Sequence, residues 1–297
     1  MRKTIKYSFL LVLTAFIWGV AFVAQSAGGD AVGPYTFNCI RSFIGAAVLL
    51  PVIRFREKKY GKSENKKTLI IGGVICGAVL CIASNLQQLG ITVGDSVGKA
   101  GFLTACYIIF VPIIGIFIGK RCTLNVLIGT VLTVIGLYLL CVRGRFGLAW
   151  SDILLILSAV MFSIHILVID RFGSSADPIK MSCIQFFVSG VITVFPMLFC
   201  DMRPDIGAWT EALRAWRSWI PILYAGIFSC GVAYTLQIVA QPKLNPTAAS
   251  LILSLESVFS ALAGWVILGQ ALSIKEISGC VLIFTAIVLA QIPYNKN

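Results

Sequence analysis

Glu256 is the only acid deep inside any long apolar run of this sequence. A charged side chain at the centre of a membrane helix costs about 2.5–3.5 kcal/mol on insertion scales. A carboxyl placed there either meets a cationic solute group or a coupling proton, or hydrogen-bonds a neighbouring helix. Arg41 and Lys99 each stand a few residues inside an apolar run. Such residues can snorkel to the interface, and Lys99 reads that way. If either faces a cavity, it attracts a carboxylate or a phosphate.

Asn85 and Gln88 stand three apart, and Tyr234, Gln237 and Gln241 recur at i, i+3 and i+7. That spacing puts hydrogen-bonding groups on one helix face. In lipid such a face turns inward, to line a cavity or to bond other helices; cavity lining is the preferred reading. Trp18 and Tyr107 offer aromatic surfaces for stacking or for packing. His165, the single histidine, is either a proton-exchanging group or a hydrogen-bonded core residue. The expected substrate-binding set is therefore Trp18, Arg41, Asn85, Gln88, Tyr107, His165, Tyr234, Gln237 and Glu256.

No catalytic constellation accompanies them. The sequence has no G-x-S-x-G, no H-E-x-x-H and no G-x-x-x-x-G-K-[ST] phosphate loop. The ten cysteines form no C-x-x-C pair, and most lie inside apolar runs, where they are small packing residues. The reading is of a protein that is not an enzyme and uses neither a metal nor a cofactor. A membrane enzyme built on Glu256 and His165, or a lipid translocase, is the alternative.

The elements that position these residues follow from composition. The chain has 297 residues, 58% apolar and 12% charged, with a mean hydropathy of +0.94. Soluble domains have about 45–50% apolar and about 25% charged residues. A soluble enzyme, a disordered chain and a secreted disulfide scaffold are excluded. The net charge of +12 does not indicate nucleic acid, because the basic residues lie mainly between apolar runs. Their densest cluster, from Arg54 to Lys67, suits a loop that sets topology and meets anionic headgroups.

Ten runs are long enough to span a bilayer, at roughly 7–24, 36–53, 68–89, 97–119, 124–142, 153–169, 179–199, 219–240, 247–268 and 274–292. The first is too long for a signal peptide and is read as retained. Ten spans put both termini on one side, and the bias of Lys and Arg assigns that side to the cytoplasm. Between the seventh and eighth spans, Trp209, Leu213 and Trp216 fall at i, i+4 and i+7, which predicts a short interfacial helix. Trp150, Trp219 and Trp265 are expected at the same outer boundary. Gly73 and Gly77, and Gly115 and Gly119, stand four apart and predict close helix packing.

The two halves repeat. Shifted by 150 positions, Gly269 falls on Gly119, Ser273 on Thr123 and Gly279 on Gly129. Shifted by 144, Pro178 falls on Pro34, Cys183 on Cys39, Gln185 on Arg41, Phe187 on Phe43 and Phe162 on Trp18. Each half holds five spans, an odd number, so the second enters the membrane from the opposite side. Inverted repeats can open to either face by exchanging conformations, which is alternating access. The expected fold is an all-α integral membrane protein of ten transmembrane helices in two inverted five-helix repeats, residues 1–145 and 146–297.

At these positions the chain resembles the EamA family of the drug/metabolite transporter superfamily. The likeness is carried by Trp18-Gly19-Val20-Ala21-Phe22, Arg41-Ser42-Phe43, Phe110-Val111-Pro112, Leu255-Glu256-Ser257-Val258-Phe259, Gly264-Trp265 and Leu268-Gly269. It departs from the family at Gln270 and Lys120, where an acid often follows Leu-Gly, and at Ser257, where Pro commonly follows the Glu. The resemblance implies a ten-helix bundle with a central cavity that exports or exchanges amino acids, drugs or other small metabolites. The expected partners are a small-molecule solute, membrane lipid and, where transport is coupled, protons, in a plasma (inner) membrane.

Overall fold

The computed structural model describes residues 2–60, 66–94, 97–120, 122–141, 149–268 and 272–291. Among these, every regular element is helical. The helices are α1 (Arg2–Val32), α2 (Pro34–Tyr60), α3 (Lys66–Thr92), α4 (Val97–Ala105), α5 (Tyr107–Phe117), α6 (Leu124–Cys141) and α7 (Trp150–Phe172) in the first part of the chain. They continue with α8 (Pro178–Pro196), α9 (Ile206–Arg214), α10 (Trp216–Tyr224), α11 (Tyr234–Ala240), α12 (Pro246–Leu253), α13 (Leu255–Leu268) and α14 (Ile274–Gln291). Nine helical stretches among the described residues are long and apolar enough to cross a bilayer. Helix α14 is a further helix, packed along α6.

The surface is built for lipid. Phe9, Phe16, Ile70, Phe117, Phe195 and Val266 point outward, while Gln88, Gln185, Gln237, Thr133 and Ser163 are buried. This inverts the soluble pattern, because hydrocarbon cannot hydrogen-bond and polar groups must find partners inside. The helices run alternately between two faces. One holds the end of α2 and the start of α8, joined by Lys180–Glu57 at 2.6 Å and Arg56–Asp177 at 3.4 Å. At the other, Asp201 accepts hydrogen bonds from the Thr36 amide at 2.6 Å and the Thr36 hydroxyl at 2.8 Å.

The packing pattern is preserved when the halves are exchanged. Helix α6 runs along α14, and α2 along α8, so these two pairs map onto themselves. The contact of α3 with α7 is matched by that of α1 with the stretch Trp216–Lys243. Individual residues follow. A Cβ on Gly136 would meet the Gly279 carbonyl at 2.9 Å, and one on Gly129 would meet the Ala286 carbonyl at 3.0 Å. A shift of 150 converts one contact into the other. Likewise Gly77 abuts Val188 and the Gln185 carbonyl, while Gly226 abuts Ile44 and the Arg41 carbonyl. Glycine at these places lets backbones approach to a distance that any side chain would prevent.

Among the described residues four spans are interrupted, the seventh by a π-helical stretch at its end, Met197–Met202. The fourth breaks at Cys106, whose amide bonds the Leu103 carbonyl, three residues back. The ninth breaks at Ser254, where the serine hydroxyls of Ser250 and Ser254 bond the carbonyls three residues back. The eighth passes through a π-helical stretch, Ala225–Ala233, soon after Pro221. Such wide turns are often found at functional sites.

Two sequence expectations are corrected. Trp209 and Leu213 do lie on a short helix, α9, but Trp216 does not. Extended backbone at Ala215 (ψ 115°) ends α9, and Trp216 opens α10. Gly115 and Gly119 are not packing glycines: a Cβ on Gly115 would meet only the Lys120 Cβ, at 3.6 Å, and nothing lies near the missing Cβ of Gly119, whose φ is +79°. Gly119 ends α5 in a left-handed turn, with the Lys120 amide returning to the Gly115 carbonyl at 2.9 Å. Trp150, Trp219 and Trp265 do reach the surface at one face. The side chain of Lys99, much of the basic loop, Gly269 and Gln270 lie outside the described residues.

Candidate functional site

A small cavity opens at mid-depth, where the halves meet. Its volume is about 40 Å³, room for a few waters. Helix α1 contributes Trp18, Phe22 and Gln25, spaced i, i+4 and i+7 on one face. Gly19 sets the position of that face, since a Cβ there would lie 2.5 Å from the Phe259 Cβ and 2.8 Å from the Glu256 carbonyl. Trp18 therefore sits against the start of α13.

The two helix breaks supply the next pair. Tyr107 follows the break in the fourth span and Glu256 follows that in the ninth. The Tyr107 hydroxyl donates to Glu256 Oε1 at 3.2 Å. Both residues line the cavity, with Thr104 one turn before Tyr107. Tyr234, at the end of the π-helical stretch, forms the aromatic floor. Its ring centroid lies 4.6 Å from Trp18, 5.2 Å from Phe186 and 6.0 Å from His165.

Arg41 enters the same cavity from α2 and is only 6% exposed. Its guanidinium lies 5.2 Å from the centroid of the Phe37 ring, and it pairs with no carboxylate among the described residues. A buried cation stabilised only by an aromatic face is short of its usual partners. Three further buried polar atoms on the cavity-lining residues have no hydrogen-bond partner among the described residues: Trp18 Nε1, Gln25 Oε1 and Thr104 Oγ1. The site thus combines unsatisfied donors, unsatisfied acceptors and an unpaired positive charge. That combination suits a small solute carrying an anionic group and a hydrogen-bonding group.

Five of the nine candidate residues lie in this cavity: Trp18, Arg41, Tyr107, Tyr234 and Glu256. The other four lie outside it. Asn85 donates to Thr193 at 2.9 Å and accepts from Asn38 at 3.0 Å. Gln88 donates to the Gln25 carbonyl at 2.8 Å. His165 bonds Gln185 at 3.1 Å, and Gln237 donates to Gln241 at 2.9 Å. The sequence reading missed Phe22, Gln25, Gln87, Thr104, Phe162 and Ser229, which also line the cavity. The helical spacing from Trp18 identifies Phe22 and Gln25, and the repeat identifies Phe162 as the counterpart of Trp18. Nothing local distinguishes Gln87 from Gln88. Among the described residues, no cluster of three or more His, Cys, Asp or Glu is arranged to hold a metal.

Comparison with known proteins agrees with this architecture. A solved crystal structure with 16% identity superposes with a TM-score of 0.78 over 96% of each chain. An uncharacterized transporter of Archaeoglobus fulgidus is 25% identical over 283 residues, 95% of this chain and 84% of the relative. The uncharacterized transporter YoaV of Bacillus subtilis is 23% identical over 294 residues, 97% of each chain. The EamA-like transporter family matches twice, over residues 5–142 and 149–291. With almost the whole length matched, and with a central cavity between two halves that pack alike, this multi-pass membrane protein belongs to the EamA-like transporter family.

Proposed function

We propose that this chain is a secondary transporter that exports a small, carboxylate-bearing metabolite, such as an amino acid, by alternating access between two inverted repeats, residues 1–145 and 146–297. The observation that carries the reading is Arg41, a buried cation without a carboxylate partner among the described residues, in a cavity lined by other polar groups that lack partners there. The solute's carboxylate satisfies the guanidinium, and its second polar group meets Glu256, Gln25 or Thr104. Trp18 and Tyr234 cover its apolar part.

A cavity of about 40 Å³ is far below the roughly 300–1,000 Å³ of usual ligand pockets. The cavity as described is therefore too small for a solute of amino-acid size, which enters when the halves move apart. The paired exchange of contacts between halves supports that motion. The basic segments near Arg2, Arg54–Lys67 and Lys120 support an orientation with both termini in the cytoplasm, the membrane being the plasma (inner) membrane. Trp18, Arg41, Tyr107, Tyr234 and Glu256 bind the solute in this reading, with coupling to protons at Glu256.

The test is flux. Purified protein in liposomes is screened for uptake and efflux of amino acids and small organic acids, with and without a pH gradient. Saturable flux of a carboxylate-bearing solute is the expected result. A protein that is folded and inserted but moves none of the pool overturns the proposal.

A further inference from the structure

Lys120 stands where the family often carries an acid, and the structure gives this departure a use. The left-handed turn at Gly119 projects Lys120 from the end of α5 towards α7. There its Nζ lies 2.5 Å from Asp170 Oδ2, on a carboxylate that is 9% exposed. The pair joins the end of the fourth span to the end of the sixth, at the face that also carries Lys180–Glu57.

Between this ion pair and the cavity runs a buried polar column. His165 touches the Tyr234 ring from below the cavity and bonds Gln185. One turn further along the same helical stretch as Tyr234, Gln237 donates to Gln241, and Gln241 donates to the Ile166 carbonyl at 2.6 Å. Ile166 is one helical turn before Asp170 on α7. These side chains are almost fully buried, yet Gln185 Nε2 and Gln237 Oε1 have no partner. Buried amides that keep half their hydrogen-bonding capacity unused are costly as a purely structural choice.

The column meets the repeat of the cavity at one residue, Gln185, and Phe162 lines the cavity itself. Gln185 is the repeat position of Arg41, and Phe162 that of Trp18. The contacts Gly77–Val188 and Gly226–Ile44 set the third and eighth spans in the same relation, so that Gln237 corresponds to Gln88. One half of the path is open as a cavity and the other is closed on its own side chains.

We infer that His165, Gln185, Gln237 and Gln241 form the solute-binding surface of the state open to the Lys120 face, and that the Lys120–Asp170 ion pair is the latch that keeps this surface closed. The inference rests on the transporter reading above. When the latch parts, the fourth and sixth spans separate, the column opens, and the unpaired amide atoms of Gln185 and Gln237 receive the solute. The latch is one-sided in charge: the repeat position of Lys120 is Gln270, which cannot form the same ion pair. The fixed elements are α2 and the seventh span, which are tied by Lys180–Glu57 at one face and by Asp201, beyond the end of α8, to Thr36 at the other.

The test reads accessibility and charge together. Gln241→Cys and Gln25→Cys are made separately in the full chain, in membrane vesicles of both orientations. Labelling by a membrane-impermeant thiol reagent is quantified at residues 241 and 25 by peptide mass spectrometry, which separates them from native cysteines such as Cys122 and Cys200. Lys120→Asp is expected to raise labelling at 241 from the Lys120 face by at least about fivefold, a shift of about 1 kcal/mol between states, and to lower labelling at 25 from the opposite face. The double variant Lys120→Asp with Asp170→Lys is expected to restore both. If Lys120→Asp does not insert, Lys120→Gln removes the attraction without adding a second carboxylate and carries the same expectation. Unchanged labelling at 241 overturns the inference. Solute flux is measured in matched vesicles of the chain with native Gln25 and Gln241, with and without Lys120→Asp: flux without a labelling change removes the latch but keeps the transporter, whereas a reversible labelling change without flux keeps the latch and removes the transporter.

Discussion

Replacing Arg41 with glutamine separates stability from solute recognition. Glutamine is the residue at the equivalent place in the second half, Gln185, so the shape is one that the fold already accepts there. The native guanidinium is 6% exposed and is held by the Phe37 ring at 5.2 Å, without a carboxylate partner among the described residues. Losing that cation–π contact costs about 0.5–2 kcal/mol, and removing a poorly partnered buried charge returns a similar amount. The expected change in thermal stability is therefore small, within about 1–2 kcal/mol. A carboxylate held by Arg41 loses a charge-assisted hydrogen bond worth about 1.5–3 kcal/mol, so its apparent affinity falls about 10- to 150-fold. The assay is concentration-dependent flux in liposomes beside thermal unfolding in detergent. Arg41→Lys, which keeps the charge but loses the planar fork, is expected to fall between the two. Unchanged half-saturation for a carboxylate-bearing substrate in Arg41→Gln refutes the reasoning, and so does a large loss of stability, which would make Arg41 a structural residue.

Glu256→Gln is expected to leave the protein inserted and folded while altering the transport rate or its dependence on pH; identical kinetics across pH would remove Glu256 from the mechanism. Tyr107→Phe deletes the hydrogen bond to Glu256 and is expected to cost about 0.5–1.5 kcal/mol, measured by thermal unfolding, with an accompanying change in flux. Gly136→Leu places a side chain against the Gly279 carbonyl; overpacking of the α6–α14 seam is expected to lower stability by about 1–3 kcal/mol or more, whereas the same substitution at Gly101, where nothing lies within 4 Å, is expected to be mild. Asp201→Ala removes both bonds to Thr36, and with them the first-turn partner of α2; a loss of about 1–2 kcal/mol and faster proteolysis of the segment around α9 are the expected readouts.

Much of the fold was legible because membrane insertion is read from local composition. The apolar runs, the glycine matches at 150 positions and the Pro34–Pro178 match carry the spans and the repeat. The site was legible in part. Trp18, Arg41, Tyr107, Tyr234 and Glu256 stood out as rare residue types at membrane depth, and all five reach the cavity. Asn85 and Gln88 stood out equally, yet they bond Thr193, Asn38 and the Gln25 carbonyl outside it. Residue type identifies a need for a polar partner, but it does not say whether that partner is a solute or another helix.

The sequence alone determined that this is a polytopic helical membrane protein with a twofold internal repeat, because the cost of placing polar groups in hydrocarbon depends on each segment by itself. The tertiary structure alone decided which helix faces turn inward. In an almost wholly apolar helix the hydrophobic period carries little signal, since lipid and protein core are equally apolar. The choice is made by fit and by hydrogen bonding across the bundle: Gly19 against Glu256, Gly136 against Gly279, and the breaks at Cys106 and Ser254 that bring Tyr107 and Glu256 together. The meeting of Lys120 with Asp170 belongs to the same category, because two charges 50 positions apart can be joined only by the path the helices take between them.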